Sequence, residues 1–210
     1  AYTHLMRAFW PDMRLDTKAG YRRLSRLEKD GYLIKEHSEK KKLNIFLLTG
    51  KGYEELAGRN LDSGLKCYER GKDYERFIDH DLKVTTIRIA FSEVGLKDWT
   101  SERVIRERQQ LLRVPDGVLN INGHKAAIEF ENYVTKGPKR YQELFDSYRS
   151  YKDHFDFLFM ILDGNDKSVF SDLDYDPQSV WFVRYNDLVD SGLKTLFSNK
   201  RASFRLRQLV

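Results

Sequence analysis

The chain is poor in cysteine, with Cys67 alone among 210 residues. A lone cysteine excludes an internal disulfide framework and a cysteine-rich zinc site. Long apolar runs are also missing. None approaches the roughly 18 residues that a membrane-spanning helix needs. The N-terminal residues carry no signal-peptide pattern. The expectation is a cytoplasmic protein with no membrane span. There is no glycine-rich phosphate loop, so ATP use has no support. The histidines His4, His37, His124 and His154 are scattered, without metal-ligand spacing.

What is present is ordinary in bulk and uneven in detail. Apolar residues make up 40% and charged residues 33% of the chain, as in a soluble protein. Aromatics at 13% argue against disorder. The length suits one or two domains with a real core. The net charge is +5. Residues 1–60 hold 13 Lys/Arg against 8 Asp/Glu, while residues 61–210 hold 24 of each. The whole surplus sits in the first quarter, which suggests a nucleic-acid-facing segment joined to something else.

The patterns along the chain predict three regions: residues 1–60, a linker with some helix over 61–79, and a second domain over 80–210. In the first, Ala1–Trp10 reads as a helical fragment ended by Pro11. It is short, as in a chain that begins inside the domain. Asp16 or Thr17 can cap a helix running to Lys29. Its inner stripe is Tyr21, Leu24 and Leu27. Its outer stripe is Lys18, Arg22, Arg26 and Lys29, with Arg23 beside it. Gly31 ends it. Tyr32–Glu36 and Leu43–Leu48 read as strands around a charged loop, Ser38–Lys42. Thr49 caps a further helix. Helix, hairpin with basic tip and helix is the order of a winged helix-turn-helix, and the runs Arg23–Leu33 and Leu48–Tyr53 resemble that family's recognition helix and wing exit. The resemblance implies phosphate contacts from Lys40, Lys41 and Lys42 and groove contacts from Arg22, Arg23 and Arg26.

In the second region, helices are expected over His80–Glu93, Trp99–Leu112 and Pro138–Lys152, the last apolar at Tyr141, Leu144, Phe145 and Tyr148. Phe155–Leu162 and Val180–Tyr185 read as strands. Asn186 can cap a last helix reaching Phe197, and Lys200–Arg207 can add an edge strand. The order predicts a mixed sheet flanked by helices, and the fold class expected is α+β.

Asn122-Gly123 is the strongest local signal. Flanked by the apolar runs Val114–Ile121 and His124–Glu131, it favours a two-residue type I′ hairpin turn. Ile121 then pairs with His124, and the register carries Asp116 opposite Glu129. Glu131 lies two residues on, on the same face. Opposed like charges repel, and a divalent cation would turn that repulsion into a site. Val114, Val118 and Ala127 share the acids' face. Leu119, Ile121, Ile128 and Phe130 form the other face, expected as the main core. Hard cations favour such carboxylates, so Mg²⁺ or Mn²⁺ is the cofactor expected. The alternative is an exposed face whose acids pair with nearby lysines.

Pro115-Asp116 followed by Glu129-x-Glu131 after a hairpin resembles the PD-(D/E)xK nucleases, the restriction-endonuclease-like fold. The resemblance implies metal binding by Asp116, Glu129 and Glu131. Glu131 stands where that family has a lysine, and Lys136 or Lys139 can swing in as the helper. A winged helix, then His80-Asp81, Pro115-Asp116-Gly117, Glu129-x-Glu131 and Lys139, is similar to the replication-relaxation family, in particular the plasmid relaxases of the MobC and TraX type. That similarity implies a site-specific, metal-dependent nick at a plasmid transfer origin, with double-stranded and nicked DNA and other relaxosome proteins as partners. His80 reads either as a site residue or as a helix cap, Glu93 as an extra carboxylate or a solvated one. Tyr133 and Tyr141 read as nucleophiles or as core tyrosines. The competing function is a non-catalytic DNA-binding regulator of replication or transcription, which the winged helix alone supports.

Overall fold

The computed structural model describes residues 18–39, 41–59, 74–132, 137–164 and 170–210. Helices accompany a two-stranded and a seven-stranded mixed sheet, an α+β fold. The chain divides into two compact units, Ala1–Thr85 and Thr86–Val210. Among the described residues, no helix is long and apolar enough to cross a membrane.

In the first unit, helix α1 spans Lys18–Lys29 and buries Leu24. Of the expected inner stripe only Leu24 is buried: Tyr21 is 52% and Leu27 39% exposed. Gly31, at φ 77°, turns the chain out of the helix. Strands β1 (Leu33–Ser38) and β2 (Leu43–Leu48) pair antiparallel from Leu33↔Leu48 to Ser38↔Leu43. Ser38, read as loop, ends β1 and is buried, its hydroxyl taking the Lys41 N–H. Thr49 caps α2 (Gly50–Gly58) as expected. Its hydroxyl accepts from the Gly52 N–H at 3.1 Å and donates to the Gly31 carbonyl at 2.6 Å. Gly52 is required there, because a Cβ would lie 2.5 Å from the Tyr32 carbonyl oxygen. Helix α3 (Tyr74–Glu93) places Ile78 against Ile45 of β2, with Leu43, Leu47 and Leu82 around them. The expected linker therefore gives way to helix from Tyr74, and His80 lies inside α3 instead of opening a helix. Ala1–Trp10, Asp16 and Thr17 fall outside the described residues.

The second unit is a single sheet in the order β3-β4-β5-β6-β7-β8-β9. Its strands are β3 (Trp99–Ser101), β4 (Gly117–Ile121), β5 (His124–Asn132), β6 (Phe157–Asp163), β7 (Val180–Arg184), β8 (Leu196–Ser198) and β9 (Ser203–Arg205). The β5–β6 and β6–β7 pairs are parallel and the others antiparallel. Parallel neighbours need a crossover, and helix α5 (Pro138–Ser150) supplies it between β5 and β6. Its buried face is Tyr141, Leu144, Phe145 and Tyr148, as expected. These side chains pack with Val118, Ala127, Leu158, Met160 and Leu162. On alternate residues Ile128, Phe130, Phe159, Ile161 and Val183 are also buried. Both faces of the central strands are thus dry, as a sheet with parallel strands requires. The acids' face is itself a core face under α5, not the lesser face anticipated.

Three expectations fail. Trp99–Leu112 is a strand followed by a short helix α4 (Glu102–Arg108), because Trp99-Thr100-Ser101 pairs with Leu119-Val118-Gly117. Aromatic and β-branched residues fit that pleat. The final helix, α6 (Tyr185–Ser191), begins one residue before Asn186 and stops at Gly192, φ 52°. Thr195–Phe197 then continues into strand β8, with β9 the edge. Phe155 and Asp156 precede β6.

Gly117 opens β4 under the Trp99 ring, where a Cβ would come within 2.1 Å of the indole. Gly117→Ala should lower stability by about 1–3 kcal/mol through forced displacement of that ring. Thermal denaturation checks it, and an unchanged midpoint would show that Trp99 has room to move.

Candidate functional site

The hairpin turn is Asn122-Gly123, with both residues at positive φ, 52° and 88°. The β4–β5 ladder runs from Ile121↔His124 to Gly117↔Ile128, the register read from the sequence. Asp116 stands one residue beyond the last ladder pair. Its carboxylate replaces the next rung, accepting the Phe130 N–H at 2.7 Å. Its carbonyl accepts the Glu102 N–H at 3.3 Å. Asp116 is therefore tied to β5 and to α4 at the same time.

Glu129 and Glu131 point to the α5 face and are 6% and 3% exposed. The helix meets them with two tyrosines set two turns apart. The Tyr148 hydroxyl donates to Glu129 Oε1 at 2.7 Å. The Arg113 guanidinium donates to the same oxygen at 3.3 Å. Arg113 is held in turn by Tyr151, whose hydroxyl accepts the backbone N–H of Leu112 at 2.8 Å and of Arg113 at 3.3 Å. Tyr141 is fully buried, and its hydroxyl has no hydrogen-bond partner among the described residues.

Burial raises the pKa of Glu129 from the ordinary 4.5 to about 7, and the nearby Asp116 charge adds to the rise. The Arg113 charge and the hydrogen bonds from Tyr148 and Arg113 oppose it. Burial likewise lifts Tyr148 well above its usual range, helped by the Glu129 charge. Tyr141 rises to about 12 through burial and then through the Glu131 charge. A buried hydroxyl so hard to ionise is a poor covalent nucleophile; Tyr141 reads as a core tyrosine with an unused donor.

Glu129 and Glu131 thus share the α5 face of β5, and Asp116 lies close enough to Glu129 for its charge to raise that pKa. Their hard oxygen donors suit Mg²⁺ or Mn²⁺ in kind. In the conformation described, no group of three His, Cys, Asp or Glu side chains among the described residues encloses an ion. Arg113 occupies the cationic position on Glu129 instead. Of the helpers, Lys139 is exposed in the first turn of α5. Lys136 and Tyr133 lie outside the described residues. His80 belongs to the first unit, 3.7 Å from the Asp81 carboxylate. Glu93, the other carboxylate considered, is exposed at the end of α3.

The basic surface of the first unit is largely as read. Lys18, Arg22, Arg23, Arg26 and Lys29 are exposed on α1, with Arg26 3.6 Å from Asp30. Lys42 is exposed at the hairpin tip. Lys41 is not a free phosphate ligand: its ammonium lies 2.6 Å from the Asp79 carboxylate. Lys40 lies outside the described residues.

Sequence reasoning missed Arg113 and Tyr148. Arg113 falls in an irregular stretch with no period to assign its direction. Tyr148 was visible as one of two tyrosines seven residues apart on the apolar stripe of α5, but nothing local says that its hydroxyl meets a carboxylate. Comparison with family models, with characterised proteins and with solved structures returns no match.

The raised pKa of Glu129 has a signed consequence. The folded state holds this proton more tightly than the unfolded chain. The stabilisation is therefore full below about pH 4.5 and is lost as pH rises through about 7. Glu129→Gln should leave stability little changed at low pH and raise it relative to the parent above pH 7. A shift from 4.5 to about 7 corresponds to roughly 3 kcal/mol. Urea denaturation across this range measures it; a difference independent of pH would show that Arg113 keeps Glu129 ionised throughout.

Proposed function

We propose that this chain is a metal-dependent, site-specific DNA-nicking endonuclease, in line with its resemblance to PD-(D/E)xK nucleases and plasmid relaxases. The observation that carries the reading is the burial of Glu129 beside Asp116 on the hairpin, with its pKa pushed to about 7. A buried carboxylate whose pKa is shifted by burial and a specific charged neighbour is a candidate for chemistry. Asp116, Glu129 and Glu131 would hold Mg²⁺ or Mn²⁺, and the bound ion would supply an activated water and charge for the leaving oxygen. The chain's own residues do the rest. Tyr148 fixes the Glu129 carboxylate. Arg113 balances it until a cation enters. Lys139 stands in the first turn of α5 to meet phosphate. The basic helix α1 reads the groove, and the β1–β2 hairpin touches backbone.

A specific observation also favours the second reading, a non-catalytic DNA-binding regulator. Arg113 already neutralises Glu129, and Glu131 stands where the resemblance has a lysine. Metal dependence separates the two. On supercoiled plasmid carrying a transfer origin, the parent should nick in Mn²⁺ and not in chelator. Asp116→Ala and Glu129→Ala should abolish nicking and leave duplex affinity nearly intact. Parent protein that binds the origin but nicks in no divalent cation would make the regulator reading the better one.

Duplex affinity should fall steeply with salt, with a log–log slope near −0.9 for each phosphate contact. Lys42→Ala should flatten that slope by about 0.9. Lys41→Ala should flatten it less, because Asp79 already holds that ammonium. Equal effects of the two would show that DNA pulls Lys41 off Asp79.

A further inference from the structure

The face of the second unit's sheet opposite α5 ends in a row of rings. Phe159 and Phe197 are its buried floor. Phe157, Trp181 and Phe204, on β6, β7 and β9, are half-buried, with part of each residue open to solvent. The rings form one contact chain. Phe157 lies 6.3 Å from Phe159, Phe159 lies 6.3 Å from Phe204, and Phe204 lies 4.8 Å from Trp181. Phe204 is also stacked on Phe197, with planes 4° apart. Phe159 and Phe197 thus lie beneath the row, and its three other residues keep partial exposure.

Charge is segregated toward the same edge. Residues 86–193 hold 14 Lys/Arg against 18 Asp/Glu, whereas residues 194–210 hold five Lys/Arg and no acid. Those last residues form the β8–β9 hairpin and its flanks, at the sheet's edge. Arg201, Arg205 and Arg207 are exposed there. Arg205 also donates to the Lys194 carbonyl at 3.1 Å, which leaves Arg201 and Arg207 as the simpler probes. At the far end of the row Asp156 is engaged by the Lys125 N–H at 2.8 Å and lies 3.4 Å from the His124 ring.

Partly exposed rings at a sheet edge that carries exposed cations match one ligand chemistry: flat bases joined by phosphates. Rings on a sheet face stack with bases that are splayed out, not with those already paired inside a duplex. We infer that this end of the sheet binds single-stranded nucleic acid, with bases on Phe157, Trp181 and Phe204 and phosphates on Arg201 and Arg207. The inference goes beyond the nicking reading and needs neither the metal nor the cut.

The test titrates the full chain with short oligo(dT) and follows tryptophan fluorescence and anisotropy. Quenching should accompany binding in the parent and vanish in Trp181→Phe, which keeps a stacking ring and binds within about twofold. Arg201→Ser with Arg207→Ser should weaken oligo(dT) binding about tenfold and flatten its salt slope by about 1.4, at 0.7 for each single-strand contact. Affinity for a blunt duplex should not change. No binding of oligo(dT), binding without quenching that depends on Trp181, or full affinity in the arginine variant overturns the inference. An equal loss for duplex also overturns it, by assigning these arginines to paired DNA.

Discussion

A carboxylate buried under a helix is the constraint around which the second unit is arranged. Glu129 is 6% exposed, and an isolated charge there would be prohibitive. The fold answers with a hydroxyl from α5 and a guanidinium from the segment before β4. Tyr151, just past the end of α5, then fixes that segment by taking two of its backbone N–H groups. One acid thus ties two other pieces of chain, the end of α5 and the segment before β4, to β5. Removing Arg113 alone would take away a charge that lowers the Glu129 pKa and so drive the carboxyl further toward its protonated form.

The first unit relies on shape more than on charge. Thr49 bonds both to the start of α2 and to the carbonyl of Gly31, joining the end of α1 to the start of α2 across the hairpin. Gly52 lets α2 approach the Tyr32 carbonyl closely. Of its cations, Asp79 draws Lys41 back onto α3, and Lys51 donates to the Asp30 carbonyl at 2.7 Å beside the Tyr32 ring.

Much of this was legible wherever one residue type settles a local conformation. Asn122-Gly123 set the hairpin register, Thr49 the cap, Gly31 the end of α1, and the Tyr141/Leu144/Phe145/Tyr148 stripe the buried face of α5. Legibility failed where partners are distant in sequence. Trp99–Ser101 is a strand only because β4 is there to pair with it. Phe197 lies in a strand because Phe182 of β7 is paired with Ser198. The acids' shared face could be read from period two alone, but their partners could not. Arg113 lies 16 residues from Glu129 and Tyr148 lies 19, and no periodic pattern links those positions.

Asp116 carries a further implication. Its side chain serves as the last rung of a sheet whose backbone ladder has already ended. That makes it a mechanical joint as well as an acid. One oxygen is committed to β5, so the other is aimed by the pleat and not by a mobile side chain. Any ligand it meets is approached from a direction set to the tolerance of a strand. The converse also holds: a force that swings the carboxylate away takes its acceptor from the Phe130 N–H and loosens the hairpin at its open end.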